Sequence, residues 1–197
     1  MGNGFVQRHR PARSYIEQLD RLFLAAIPDV GTASRIYELA GILRRAHKFK
    51  GDLIKPEHLH ISLFFLGSWD DGLPEMIITK VHRAADELKS LAFEVTLDRT
   101  MSFSGQPENS PFVLVGDNGV GQLKVFRKAL GVAMTRNDLR RWVHTNFTPH
   151  VTLLYDERGV DEQPIEPISW RVGEFVLVRS LYGQTKHIHL ARWHLPS

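Results

Sequence analysis

The 197-residue chain contains no cysteine. Disulfides, zinc–thiolate centres, iron–sulfur clusters and cysteine nucleophiles are thereby excluded. It also lacks any apolar run approaching the roughly 20 residues of a transmembrane helix. A large charge excess is missing too: 25 Lys and Arg oppose 22 Asp and Glu, for a formal net charge of +3. That small surplus is compatible with an anionic ligand without pointing to one. No apolar core and small-residue cleavage site follow the polar, Arg-rich start, so residues 1–13 read as a disordered arm, not a signal peptide. The expected organisation is a flexible basic arm over residues 1–19 and a single bilobal domain over 20–197. A chain without thiols is permitted in a reducing compartment, and the cytoplasm is the expected location.

Hydrophobic residues make up 43% and charged residues 24%, the balance of a soluble globular protein. Histidine is conspicuous, with ten copies. Residues 21–27 form a short apolar run that predicts a buried strand. Thr32 or Ser34 can cap the following helix, where Ile36, Leu39, Ala40 and Leu43 recur at helical spacing. Arg44, Arg45, Lys48 and Lys50 suit the negative end of its dipole. Further strands are expected at 59–67, 93–98, 112–115 and 150–155, and further helices at 74–91 and 122–137. The late runs 170–181 and 188–195 read as a strand pair. This order predicts an α/β (α+β) architecture with mixed or antiparallel sheets and no long linker.

One segment nearly repeats. His60-Ile61-Ser62-Leu63 and His150-Val151-Thr152-Leu153 share a pattern of histidine, apolar residue, hydroxyl and leucine, ninety residues apart. On a strand, residues i and i+2 share a face. His60 therefore projects with Ser62, and His150 with Thr152, while Ile61, Leu63, Val151 and Leu153 turn to the core. If two similar lobes face each other, both pairs meet across a cleft. Two imidazoles with ordinary pKa values of about 6.5 can supply one base and one acid near neutrality. Two hydroxyls can donate to the oxygens of a bound anion. Those groups suffice for phosphoester hydrolysis without a metal. A lone His-x-Ser on a strand is usually structural, but two matching copies in matching settings shift the balance towards chemistry.

At these residues the chain resembles the 2H phosphoesterase superfamily, specifically the RNA 2′,3′-cyclic phosphodiesterases also called 2′-5′ RNA ligases. The flanks agree: Pro56-Glu57-His58-Leu59 precedes the first motif, Phe65-Leu66-Gly67 follows it, and Phe147-Thr148-Pro149 precedes the second. The resemblance spans residues 20–195. It departs from the commonest pattern at Phe64, where Lys is frequent, and at Thr148 and Tyr155, where Arg is frequent. The resemblance implies two similar lobes, with antiparallel sheets flanking a V-shaped cleft and helices outside. It implies hydrolysis of a 2′,3′-cyclic phosphate to a 2′-phosphomonoester, and 2′-5′ ligation as an associated activity. By the same analogy His150 is the base that activates water and His60 the acid that protonates the leaving 3′ oxygen. Ser62 and Thr152 would hold the non-bridging oxygens. No metal or cofactor is implied. The implied partner is RNA or a nucleotide with a cyclic phosphate end, with no membrane, met by a monomer. Two alternatives keep the same residues: hydrolysis of small cyclic nucleotides or 2′-5′ oligonucleotides, and a noncatalytic module that cradles an RNA end.

Other candidates carry a plainer reading beside the functional one. His58 with His60, and His187 with His189, could pair on a strand face as metal ligands, but no carboxylate lies at a fitting offset. His58 is expected at the cleft rim or the strand entrance, and His187 and His189 as ordinary strand residues. Phe103 could stack on a base, although an aromatic at a strand end is more often core. Arg140, Arg141, Lys48 and Lys50 could track phosphates, or simply be solvated helix ends. The glycines between 116 and 121 lack the Lys-Ser/Thr of a nucleotide loop and read as turns.

Overall fold

A computed structural model describes residues 20–70, 72–104, 109–181 and 186–197. The expected arm over residues 1–19 lies outside them, as does the middle of the loop before residue 110. Along the described chain run β1 (Asp20–Ala26), α1 (Val30–His47), β2 (Ile61–Trp69), α2 (Glu75–Asp86), β3 (Phe93–Ser102) and β4 (Ser110–Val115). They are followed by α3 (Gly121–Arg136), β5 (His150–Asp156), β6 (Gln163–Val172), β7 (Glu174–Leu181) and β8 (Lys186–His194). None of the described helices is long and apolar enough to cross a membrane.

The strands form one sheet in the order β6-β3-β4-β5-β2-β1-β7-β8, with every pairing antiparallel. Its centre is almost severed. β2 and β5 meet through one residue pair, Ile61 opposite Val151. The sheet is thus two four-stranded halves hinged at that pair, which is how the expected two lobes are realised. The segment between α1 and β2 occupies the gap where β5 diverges. Ile54 N–H donates to the Leu153 carbonyl at 2.8 Å, and Leu53 bridges Leu154. The Lys50 and Gly51 amides reach Asp156 Oδ2 at 2.6 and 2.8 Å. Asp156 is buried. Burial raises its pKa, but these amides and that of Arg158 outweigh it and hold the carboxyl below its ordinary value.

The helices cover one face of the sheet. α1 packs on β5 and β6, α3 on β3, and α2 on α3. Leu24, Leu63, Phe126, Leu154, Trp170 and Phe175 belong to one continuous buried cluster on that side. Each large side chain withdrawn from water there contributes about 1.5–3 kcal/mol. A separate small cluster of Phe23, Ala25, Val176 and Val178 lies on the opposite face of the β1–β7 pair.

Three sequence expectations need correction. The cap of α1 is Asp29, not Thr32 or Ser34; its carboxylate accepts from Thr32 N–H at 2.9 Å and Thr32 Oγ1 at 2.6 Å. α2 stops at Asp86, short of residue 91, and by Ala92 the chain is bonding to the Pro196 carbonyl at 2.7 Å. The run 170–181 is two strands broken at Gly173, and β6 reaches back to Gln163. Pro164 and Pro167 disguise β6 as a loop. It tolerates them because it is an edge strand, where a missing N–H breaks no ladder on its open side.

Gly51 is required by this packing. A Cβ built there would lie 1.8 Å from the Tyr155 carbonyl oxygen. Gly51→Ala should therefore destabilise the protein by about 1–3 kcal/mol, the usual cost of forcing extra volume into a packed site. Gly121→Ala, whose Cβ meets nothing within 4 Å at the start of α3, should be neutral or stabilising. Urea unfolding of the two variants checks both; equal stability would show that the segment is not pinned to β5.

Candidate active site

The hinge pair sets the geometry of the site. With Ile61 opposite Val151 in antiparallel register, His60 stands across from Thr152 and Ser62 across from His150. The structure gathers all four along one cleft of about 490 Å³. Its other lining residues include Arg21, Phe23, His58, Phe65, Tyr155 and His187.

Both imidazoles are held alike. His60 Nδ1 lies 2.7 Å from the His58 carbonyl, and His150 Nδ1 lies 2.7 Å from the Thr148 carbonyl. A carbonyl only accepts, so each Nδ1 carries the proton and each neutral ring is left with a lone pair on Nε2. Ser62 Oγ donates to His60 Nε2 at 3.1 Å. Phe23 stacks on His60 with ring centres 4.9 Å apart, and Phe103 meets His150 edge-on at 4.9 Å. Phe103 thus packs against a cleft histidine.

Burial dominates the electrostatics. It pushes the His60 pKa below its ordinary value, opposed by the bond to the His58 carbonyl and reinforced by the neighbouring histidines. Burial likewise lowers His150, against the pull of the Thr148 carbonyl. His187 falls to about 4, through burial and then the proximity of His60, His58 and His189. Near pH 7 these three rings are neutral in the free protein.

A strict strand alternation would place Phe64 and Leu154 in the cleft with the histidines. The structure puts Phe65 and Tyr155 there instead, 51% and 44% exposed. The cause is a matched pair of bulges. Leu24 and Ala25 pair with Phe64 and Ser62, leaving Leu63 as an extra residue. Phe112 and Val113 pair with Leu154 and Thr152, leaving Leu153 extra. Each bulge turns the strand by one residue, so the fifth residue after each histidine returns to the cleft face. The doubled apolars Leu63-Phe64 and Leu153-Leu154, both buried, are the sequence signal that alternation fails at these points.

His58 sits in the turn Pro56–His58 at the entrance to β2, as expected. The reading of His187 as an ordinary strand residue fails: its ring lies 4.5 Å from that of His58 and 5.5 Å from that of His60. His189 lies apart from this cleft, with Nδ1 accepting from Arg192 at 3.2 Å. Among the described residues no group of three or more His, Asp or Glu could hold a metal ion. Arg140, Arg141, Lys48 and Lys50 line no part of the cleft. Lys50 instead pairs with Glu157 at 2.8 Å, and Arg141 lies over Trp142.

The fold is similar to that of several solved proteins. A phosphoesterase crystal structure superposes with a TM-score of 0.69 at 23% identity, covering 90% of this chain and 99% of that one. LigT from E. coli, complexed with NADP+, gives 0.68 at 24% identity, covering 91% and 99%; it has also been solved with ATP, 3′-AMP and phosphate. The protein TT0787 of Thermus thermophilus gives 0.67 at 22% identity, covering 89% and 97%. No curated protein matches the chain by sequence. The family model of the 2′-5′ RNA ligase superfamily matches residues 29–184. With that match spanning most of the sequence and both histidine motifs, this chain belongs to the 2′-5′ RNA ligase superfamily of 2H phosphoesterases.

Proposed function

We propose that the cleft hydrolyses 2′,3′-cyclic phosphate ends of RNA or nucleotides to 2′-phosphomonoesters, without a metal. The observation that carries this reading is the pair of imidazoles, each with Nδ1 bonded to a backbone carbonyl and each lining one cleft. His150 Nε2 takes a proton from water as the water oxygen attacks phosphorus. The bond from phosphorus to O3′ breaks, and His60 delivers a proton to the leaving oxygen. Ser62 and Thr152 donate to the non-bridging oxygens, where charge builds up in the transition state. Phe65 and Tyr155 offer exposed ring faces beside the phosphate position, suited to stacking a nucleobase. The complexes of E. coli LigT with ATP, 3′-AMP and phosphate support a nucleotide or phosphate ligand here.

His60 must be charged to act as the acid, although burial disfavours that state. The substrate supplies the remedy: an anionic phosphate between the rings favours the imidazolium and raises its pKa. In kcat/KM, which reports the free protein, the bell should therefore centre below pH 6.5, because both rings are depressed. In kcat, which reports the complex, the alkaline limb should move to higher pH. A common optimum for both parameters above pH 7 would show that these histidines are not the acid and base.

Substitutions separate the roles. His60→Ala and His150→Ala should each lower kcat by about 10²–10⁴-fold on nucleoside 2′,3′-cyclic monophosphates. Near-normal turnover in either variant rejects the two-histidine mechanism. Thr152→Ala should lower the plateau and leave both pH limbs nearly in place, because it removes anion stabilisation and not proton transfer. Ser62→Ala should lower the plateau too and, by removing the bond to the neutral His60 ring, should move the His60 limb of kcat/KM to higher pH. Turnover should persist after dialysis against a chelator; loss with rescue by a divalent ion would contradict the metal-free reading.

A further inference from the structure

The two bulges beside the motifs each leave a carbonyl outside the regular ladder, and the two are secured differently. In the second half the Leu153 carbonyl accepts from the Ile54 amide. In the first half the Leu63 carbonyl accepts from a side chain, Arg127 Nε on α3, at 2.8 Å. The same guanidinium donates through Nη2 to the His144 carbonyl at 2.8 Å. It is sandwiched between the rings of Phe64 and Phe147, its carbon 4.3 Å from each ring centre. Among the described residues no carboxylate pairs with it. Gly131, one turn further along α3, lets the helix approach closely: a Cβ there would lie 3.1 Å from Val143 and 3.2 Å from Phe64.

The positions of these contacts matter. Leu63 follows Ser62, whose hydroxyl touches His60. His144 and Phe147 lie on the segment leading to Thr148, whose carbonyl fixes the His150 ring. One rigid fork on the helical side of the sheet therefore ties the backbone of the first motif to the segment that leads into the second, beside a seam where β2 and β5 themselves share only one residue pair. We propose that Arg127 is a positioning residue that sets the two histidine motifs in register with each other, and that it does so without touching the substrate. The proposal deepens the phosphodiesterase reading and rests on it for its kinetic consequences. Lysine cannot replace the fork, because its donors all sit on one nitrogen and it has no planar face to lie between two rings.

The test uses the full chain with Arg127→Lys, and with Phe147→Leu as a milder variant that removes one stacking face and keeps both hydrogen bonds. Melting curves establish that each is folded. With a nucleoside 2′,3′-cyclic monophosphate, Arg127→Lys should lower kcat by about 10–100-fold, as small misplacements of reacting groups do, while KM stays within about twofold. Phe147→Leu should fall between it and the parent protein. Lys128→Ala, the next cation on α3, should leave both constants unchanged. Independently of turnover, imidazole ¹⁵N shifts should report mixed tautomers for His60 and His150 together in Arg127→Lys, with His82 unmoved. Unchanged histidine resonances with kcat within twofold of the parent would overturn the proposal. If the parent protein itself turns over no cyclic phosphate, the phosphodiesterase reading falls, and the resonances alone decide whether Arg127 couples the motifs.

Discussion

Everything at the centre of this molecule depends on one contact, the pairing of Ile61 with Val151. Two strands that pair along their length make a continuous sheet, and a continuous sheet has no cleft. Two that pair at one residue can splay apart on either side while remaining in register. The pair lies one residue after each histidine, so the splay opens where the polar side chains project. Val151 and Ile61 are fully buried, and their burial keeps the hinge closed on the helical face while the other face stays open to ligand.

Around that hinge the two halves solve the same problem with different parts. Each motif needs a histidine with a fixed tautomer, and each obtains it from a carbonyl two residues earlier in its own chain. Each needs a bulge to carry an aromatic back to the cleft, and each bulged carbonyl needs a donor. A backbone amide serves one and a guanidinium the other. The near-repeat is therefore a repeat of backbone geometry more than of side chains. Apolar neighbours then set the electrostatics: both rings pack against phenylalanines, Phe23 and Phe103, and burial holds both imidazoles below their ordinary pKa.

Much of this was legible in the residues. The i, i+2 spacing of His60 with Ser62 and of His150 with Thr152 places each pair on one strand face, and the structure sets those faces along a single cleft. The strands around Leu22–Ala26 and Phe112–Val115 announce themselves as unbroken apolar runs because both of their faces are covered. What remained hidden depends on long-range partners. Nothing local in Pro164–Pro167 says that an edge position will excuse the prolines of β6. Period-2 counting assigns Phe64 and Leu154 to the cleft, since a bulge is visible only against the neighbouring strand's register. His187 joins His58 and His60 because β8 pairs with β7 at the far end of the chain. Arg127 looks like any cation on an amphipathic helix until the carbonyls it meets are known.

The break at Gly173 has a consequence for how the chain comes to be folded. Strands β6 and β7 are separated by that single residue, yet they occupy opposite halves of the sheet, β6 beside β3 and β7 beside β1. The half that holds the first motif therefore consists of the first two strands and the last two, with the other half synthesised in between. On the ribosome β1 emerges with one side of its ladder unfilled, and its partner there, residues 174–181, follows only after some 150 residues of further synthesis. At ordinary elongation rates of about 5–20 residues per second, that edge waits on the order of ten seconds or more. The apolar strand Leu22–Ala26 is then an unprotected pairing template. The second half, closed by contiguous strands β3 to β6, needs no such delay and can serve as the platform on which the first is later completed.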